Sequence, residues 1–212
     1  DETSAAAPST AKQLKLAEAL KDELHQLGIA NAVIGQGGVV YAHIPASPSC
    51  EDLPAVGFIA HMDTSPDASG LHVKPQIIRF DGTDVLLNQT EGIRFPVERF
   101  PEIKKYIGED VIFTDGTTLL GADDKSGIAA IMDMGAKITA DPTIAHAKLC
   151  IAFTPDEEIG RGTANFDLER FGADWAVTID GGEVGTLENE NFNAGSAVVD
   201  FQGVGVHPGS SK

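Results

Sequence analysis

Leu14, Ala17, Leu20, Leu24 and Leu27 fall three or four positions apart, the spacing that lines up side chains on one face of a helix. Thr10 with Gln13 makes a capping-box pair, and Gly28 stops the run, so the pattern predicts a helix over 10–27. A second helix is predicted from about 125 to 138, with Ile128, Ile131, Met132 and Ile138 on its buried side. Elsewhere the apolar positions lose this periodicity and bunch into short runs: VGFIA at 56–60, LCIAF at 149–153 and WAVTI at 175–179. Such runs are what parallel strands buried on both faces require. A further run at 39–44 alternates less cleanly. Strands alternating with helices predict a layered α/β domain. From about residue 193 the texture changes: AVVDF at 197–201, followed by the Gly-rich stretch 203–209, predicts the first strand of a second domain.

Composition narrows the partners. A chain of 212 residues is long enough to bury a full core. Its 32 acidic residues against 15 basic ones give a net charge of -17, which argues against nucleic acid, whose phosphates need a Lys/Arg-rich face. The same balance disfavours docking on an anionic membrane. Two cysteines, Cys50 and Cys150, build neither a disulfide framework nor a Cys-rich metal site. No apolar run approaches the length of a membrane span and no signal-peptide pattern is seen, so the expected compartment is the cytoplasm.

The chemistry sits where the apolar runs end. The first leads into His61-Met62-Asp63, the second through Thr154-Pro155 into Asp156-Glu157-Glu158, and the third into Asp180-Gly181-Gly182. In an open α/β sheet, ligands bind outside the carboxyl ends of the strands. Three strands therefore deliver His, Glu and Asp to one edge, and Asp123-Asp124 waits just before the second helix. Taken singly each motif has a plain alternative. An isolated His-x-Asp is more often a satisfied histidine beside a turn aspartate, an acidic triplet is more often a solvated loop, and Asp at a helix start is a good cap. Together they form a constellation. Residues i and i+2 of an extended chain point to one side, so Asp63 can hold the His61 ring by the nitrogen a metal leaves free. Of two adjacent glutamates, one can bind metal while the other moves protons. One of the Asp123-Asp124 carboxylates would suit the bridging position between two metals. His and carboxylate ligands without Cys suit a hydrolytic zinc, cobalt or manganese site better than a structural one.

In this order HMDTSPD, LLGADDKSGIAA, FTPDEEIGRG, TIDGGEVGTLENENFN and VHPGSSK resemble peptidase T, the tripeptide aminopeptidases of the broader two-zinc peptidase group. The resemblance implies a layered α/β/α zinc-peptidase catalytic domain over 1–192 and the start of an α+β lid or dimerisation domain over 193–212. It implies two zinc ions, with cobalt or manganese as substitutes. His61 and Asp180 would bind one metal, Asp123 would bridge, and Glu158 would bind the other. Asp63 would orient His61, Glu157 would be the general base, and His207 would stabilise the reacting carbonyl. A cis peptide between Asp123 and Asp124 is also implied. Family members continue past Lys212, so the expectation is a fragment whose second metal site is incomplete and which is inactive alone. The implied substrates are tripeptides with a free N-terminus, with no nucleic acid or membrane partner. The intact family forms homodimers through the lid.

The remaining histidines, His25, His43, His72 and His146, sit in no chemical pattern and are read as structural or solvated, as are both cysteines. The competing functions are a dipeptidase, carboxypeptidase or N-acyl amino acid hydrolase of the same two-zinc group, or a metal-binding fragment without catalysis.

Overall fold

The computed structural model describes residues 1–190, 193–195, 197–203 and 205. Contacts divide the chain into two units, Asp1–Asp180 and Gly181–Lys212. In chain order the first unit contains α1 (Ala11–Gln26), β1 (Val33–Ile34), β2 (Val40–Ile44), β3 (Val56–His61), β4 (Gln76–Arg79), β5 (Val85–Asn88), β6 (Ile93–Phe95) and β7 (Asp110–Phe113). It continues with α2 (Ala122–Ala140), β8 (Leu149–Thr154), α3 (Leu168–Phe171) and β9 (Trp175–Thr178). Both predicted helices and all four predicted apolar runs are present.

The main sheet has the order β1-β2-β8-β3-β9. Its central strands are parallel: β3 pairs with β8 from Val56↔Leu149 to His61↔Thr154, and with β9 from Val56↔Trp175 to Ile59↔Thr178. β2 runs antiparallel to β8. Because successive side chains on a strand point to opposite faces, β8 splits its apolar run between two cores. Leu149, Ile151 and Phe153 join Ala17, Leu20, Leu24, Ile128, Ile131 and Met132 under the two long helices. Cys150 and Ala152 join Tyr41 and Phe171 on the other face. This two-sided burial is why β8 reads as a continuous apolar run and not an alternating one.

The helix α1 departs from its sequence reading in one respect. Leu14, counted there in the buried stripe, is 37% exposed, whereas Gln13 is buried at 8%. Thr10 is the N-cap as predicted, but its side chain makes no capping bond. Gln13 reaches Thr10 Oγ1 only at 3.3 Å and lies 2.7 Å from a carboxylate oxygen of Asp156. A charged acceptor draws the amide more strongly than a hydroxyl does.

Residues between β3 and α2 build a satellite that periodicity did not reveal. Two antiparallel ribbons, β4 with β7 and β5 with β6, close over Phe80, Val85, Val97 and Phe113. In the second unit the described residues form no helix or strand. The segment 197–201, predicted as a strand, finds no ladder partner among them, and a lone strand leaves its backbone groups to water. No helix among the described residues is long and apolar enough to cross a membrane.

Candidate metal centre

Parallel pairing puts the carboxyl ends of β3, β8 and β9 at one sheet edge. There β3 ends in His61, the chain leaving β8 presents Glu157 and Glu158, and the chain leaving β9 presents Asp180. The start of α2 supplies Asp123 and Asp124, neither of which has helical backbone angles, and the peptide between them is cis, as expected. Gly127, one turn on, is where α2 meets this edge. A Cβ there would collide with the Ile179 carbonyl oxygen and the Asp124 carboxylate, so only glycine lets the helix approach so closely.

His61 is the hub and is only 2% exposed. Its Nε2 lies 2.8 Å from Asp123 Oδ1, 3.7 Å from Asp180 Oδ2 and 3.9 Å from Glu157 Oε2. Its Nδ1 faces Asp63 Oδ1 at 3.3 Å, a contact too poorly aligned for a hydrogen bond. Nδ1 is the one buried side-chain nitrogen or oxygen among the described residues without a hydrogen-bond partner. Asp63 spends its oxygens on the neighbouring loop: Oδ1 accepts the Glu157 N–H at 3.0 Å and Oδ2 the Glu158 N–H at 3.1 Å. One carboxylate thus fixes the glutamate turn and faces the imidazole.

Asp123 and Asp124 have separate positions. The Asp123 side chain is 73% exposed, whereas Asp124 is 2% exposed. Asp124 Oδ2 accepts the His61 N–H at 3.0 Å and its Oδ1 accepts the Gly127 N–H at 3.1 Å. It ties the end of β3 to the first regular turn of α2. Sequence reasoning considered either aspartate for a bridge or a cap but assigned no such tie. A signal was available in the glycine three residues on, since a buried carboxylate needs nearby N–H groups.

Carboxylates outnumber cations here, and their protonation shows it. Burial opposes charge on His61, yet the Asp63 and Asp123 carboxylates, joined by Asp180, outweigh it and push the imidazole up to about 9. Burial pushes Asp124 up to about 6, Asp180 adding to it. Burial, then neighbouring carboxylates, raises Glu158 and Asp180 as well. Burial would raise Asp63 too, but the His61 ring and the two glutamate N–H groups more than offset it and hold it low. Lys125, whose Nζ donates to the Met62 carbonyl at 3.2 Å, is lowered by burial. A pocket this acidic around a buried imidazole fits a metal cation. Two groups, His61 with Asp124 and Asp180, and His61 with Asp123 and Glu158, each bring one ligand atom per residue within 4.8 Å of the others. A cation on Nε2 would leave the ring proton on Nδ1, where Asp63 faces it.

These shifts carry a pH prediction. The raised pKa of His61 contributes stability that is complete below its ordinary value near 6.5 and is lost as pH rises through about 9. Asp124 has the same sign, its contribution complete below 3.8 and lost as pH rises through about 6. The melting temperature in chelator should therefore fall steadily from pH 5 to pH 9. Added zinc, which takes the place of the His61 proton, should raise it more at pH 8 than at pH 6. Scanning calorimetry at several pH values checks both, and a melting temperature that rises with pH in chelator would contradict them.

The residues expected to do nothing chemical keep that reading where they are bonded. The His25 ring meets the Ala32 carbonyl, His43 that of Phe171 and His146 that of Ala147. The Cys150 thiol is raised by burial. His207 lies outside the described residues.

No family model matches the chain. It is 55% identical over 213 residues to Peptidase T of Desulfitobacterium hafniense strain Y51, a match covering 100% of this chain and 52% of that protein. It is 52% identical over 213 residues to Peptidase T of Clostridium acetobutylicum, again over 100% of this chain and 52% of the relative. Among solved structures it resembles aminopeptidase PepT from Bacillus cereus ATCC 10987, with a TM-score of 0.56 and 24% identity, over 79% of this chain and 38% of that one. This last likeness shows the shared α/β peptidase fold. The chain is thus a relative of Peptidase T along its entire length, and it spans about half the length of the curated relatives it matches.

Proposed function

From this kinship and the acidic centre around His61, we propose that the chain is the metal-binding part of a metal-dependent aminopeptidase that releases the first residue of tripeptides. The observation that supports it most is the meeting of Asp123, Glu157 and Asp180 within 4 Å of one buried imidazole nitrogen. His61 and Asp180 would hold one zinc, Glu158 the other, and Asp123 would bridge them. The exposure of Asp123 supports that choice over Asp124, whose oxygens are already taken by N–H groups. When bound, such ions supply Lewis-acid polarisation of the scissile carbonyl and a water acidic enough to ionise near neutral pH.

Glu157 is the base of this reading. Its side chain is 52% exposed beside His61, so it can take a proton from the attacking water and return it to the departing amine. Its backbone is pinned by Asp63, leaving the carboxylate free to serve two successive steps. With a metal on Nε2 and the proton on Nδ1, Asp63, which faces Nδ1 at 3.3 Å, would orient the His61 ring. His207, in the lid that we assign to 193–212 after a catalytic part at 1–192, would stabilise the reacting carbonyl. Remaining groups for substrate ends and the second metal would come from outside this chain, which alone would be inactive.

The test is hydrolysis of an unmodified tripeptide beside its N-acetylated twin by the zinc-loaded full-length protein, with and without chelator. Chelator-sensitive release of the first residue from the free peptide alone is expected. Equal cleavage of the acetylated peptide, or release from its carboxyl end, would move the protein to a carboxypeptidase or acylase activity.

A further inference from the structure

The turn that displays Glu157 and Glu158 starts at Asp156, which is 4% exposed and has φ of 60°. That left-handed backbone is unusual for a residue with a Cβ, although Asp tolerates it better than most. Asp156 is held there by Gln13 of α1 and by Ser9 just before that helix. The Ser9 N–H donates to its Oδ2 at 2.7 Å, and the Ser9 hydroxyl donates to Oδ1 at 2.6 Å. The Gln13 amide donates to Oδ1 at 2.7 Å, and the Asp156 N–H donates back to Gln13 Oε1 at 3.0 Å. Gln13 therefore clasps both the backbone and the side chain of one residue. Past the kink, the Asp156 carbonyl accepts the Arg161 N–H at 2.8 Å and closes the turn.

Stapling α1 to the sheet does not require this network. Ala17, Leu20 and Leu24 already bury that helix against the strands, and an apolar contact would avoid the desolvation of a buried carboxylate. What apolar packing cannot do is fix a left-handed residue and the direction of the chain that leaves it. We propose that Ser9, Gln13 and Asp156 are positioning residues of the metal centre: the start of α1 sets the kink at Asp156 and so aims Glu158 at His61. The inference rests on the metal-centre reading given above.

Gln13→Met tests it, because it removes the clasp at nearly constant size and charge. Leu20→Ala is the control, loosening α1 through its apolar face alone. Both are measured in the full-length protein by cobalt titration against a competing chelator, by the cobalt absorption spectrum, and by thermal melting. Gln13→Met should weaken cobalt binding by about tenfold, the low end of what losing a ligand's own hydrogen-bond partner costs, since Gln13 acts through Asp156, and should alter the spectrum. Leu20→Ala should lower the melting temperature and leave both unchanged. Should Gln13→Met prove insoluble, Ser9→Ala removes one hydroxyl bond, keeps the N–H bond, and should give the same result in smaller measure. Parent-like cobalt affinity and spectrum in the variants, with only stability lost, would overturn the inference. A parent protein that binds no cobalt would instead sink the metal-centre reading, and the inference with it.

Discussion

In the full-length protein, Glu157→Gln should cut tripeptide turnover by about 10²- to 10⁴-fold, the usual contribution of a positioned proton-transfer group, while metal content stays at the parent level. The structure separates the two effects. Glu157 is fixed through its backbone N–H, which bonds to Asp63 whatever the side chain is. Its carboxylate is half exposed and approaches His61 Nε2 no nearer than 3.9 Å. Glutamine keeps the length and the hydrogen-bonding reach but cannot accept a proton from water. A fall in kcat with unchanged zinc content, measured by atomic absorption, is the expected pair of results. Turnover that survives the substitution would remove Glu157 from the role of base. Zinc lost together with turnover would make it a ligand instead.

Gly127→Ala should be the most disruptive change of a single methyl group in the fold, destabilising by more than about 4 kcal/mol, the range reserved for steric or buried-charge failures. The added Cβ would meet the Ile179 carbonyl oxygen and the Asp124 carboxylate. Neither can move cheaply. Ile179 continues β9 through its N–H bond to Ile59 at 2.8 Å, and Asp124 holds the His61 backbone. Relief by shifting α2 would carry Asp123 away, and relief by shifting Ile179 would carry Asp180 away. Gly135→Ala is the informative comparison. It lies in the same helix, where a new Cβ meets Ile29 Cδ1 at 3.4 Å and Ile44 Cδ1 at 4.0 Å, ordinary packing distances. There alanine should stabilise by up to about 1 kcal/mol through helix propensity. Thermal and urea unfolding of the two variants measure the contrast. A well-folded Gly127→Ala protein with parent stability would show that the close approach of α2 to β9 is dispensable.

Much of the main sheet was legible because its signals are local. A strand buried on both faces must be apolar at nearly every position, so 56–60, 149–153 and 175–179 announced β3, β8 and β9 without any knowledge of their neighbours. Continuous apolar runs of this kind imply parallel strands, and parallel order brings the residues after each strand to one edge. That chain of reasoning placed His61, Glu157, Glu158 and Asp180 together from sequence. The small ribbons β4 to β7 escaped it. Their faces are partly exposed and their strands short, so neither a continuous apolar run nor a clean alternation marks them.

What only the tertiary structure decided is which polar groups face inward. On local evidence Gln13 belongs to a capping box with Thr10 and Leu14 to the buried stripe. The fold reverses both, because a carboxylate 143 positions away draws the amide of Gln13 into the interior. Likewise Asp123 and Asp124 are indistinguishable as neighbouring acids in the chain. Only the approach of α2 to the end of β3 buries one under the His61 and Gly127 N–H groups and leaves the other open at the imidazole. Apolar burial is written in spacing, since any partner of the right size serves. A buried polar group needs one particular partner at hydrogen-bond distance, and that partner is chosen in three dimensions.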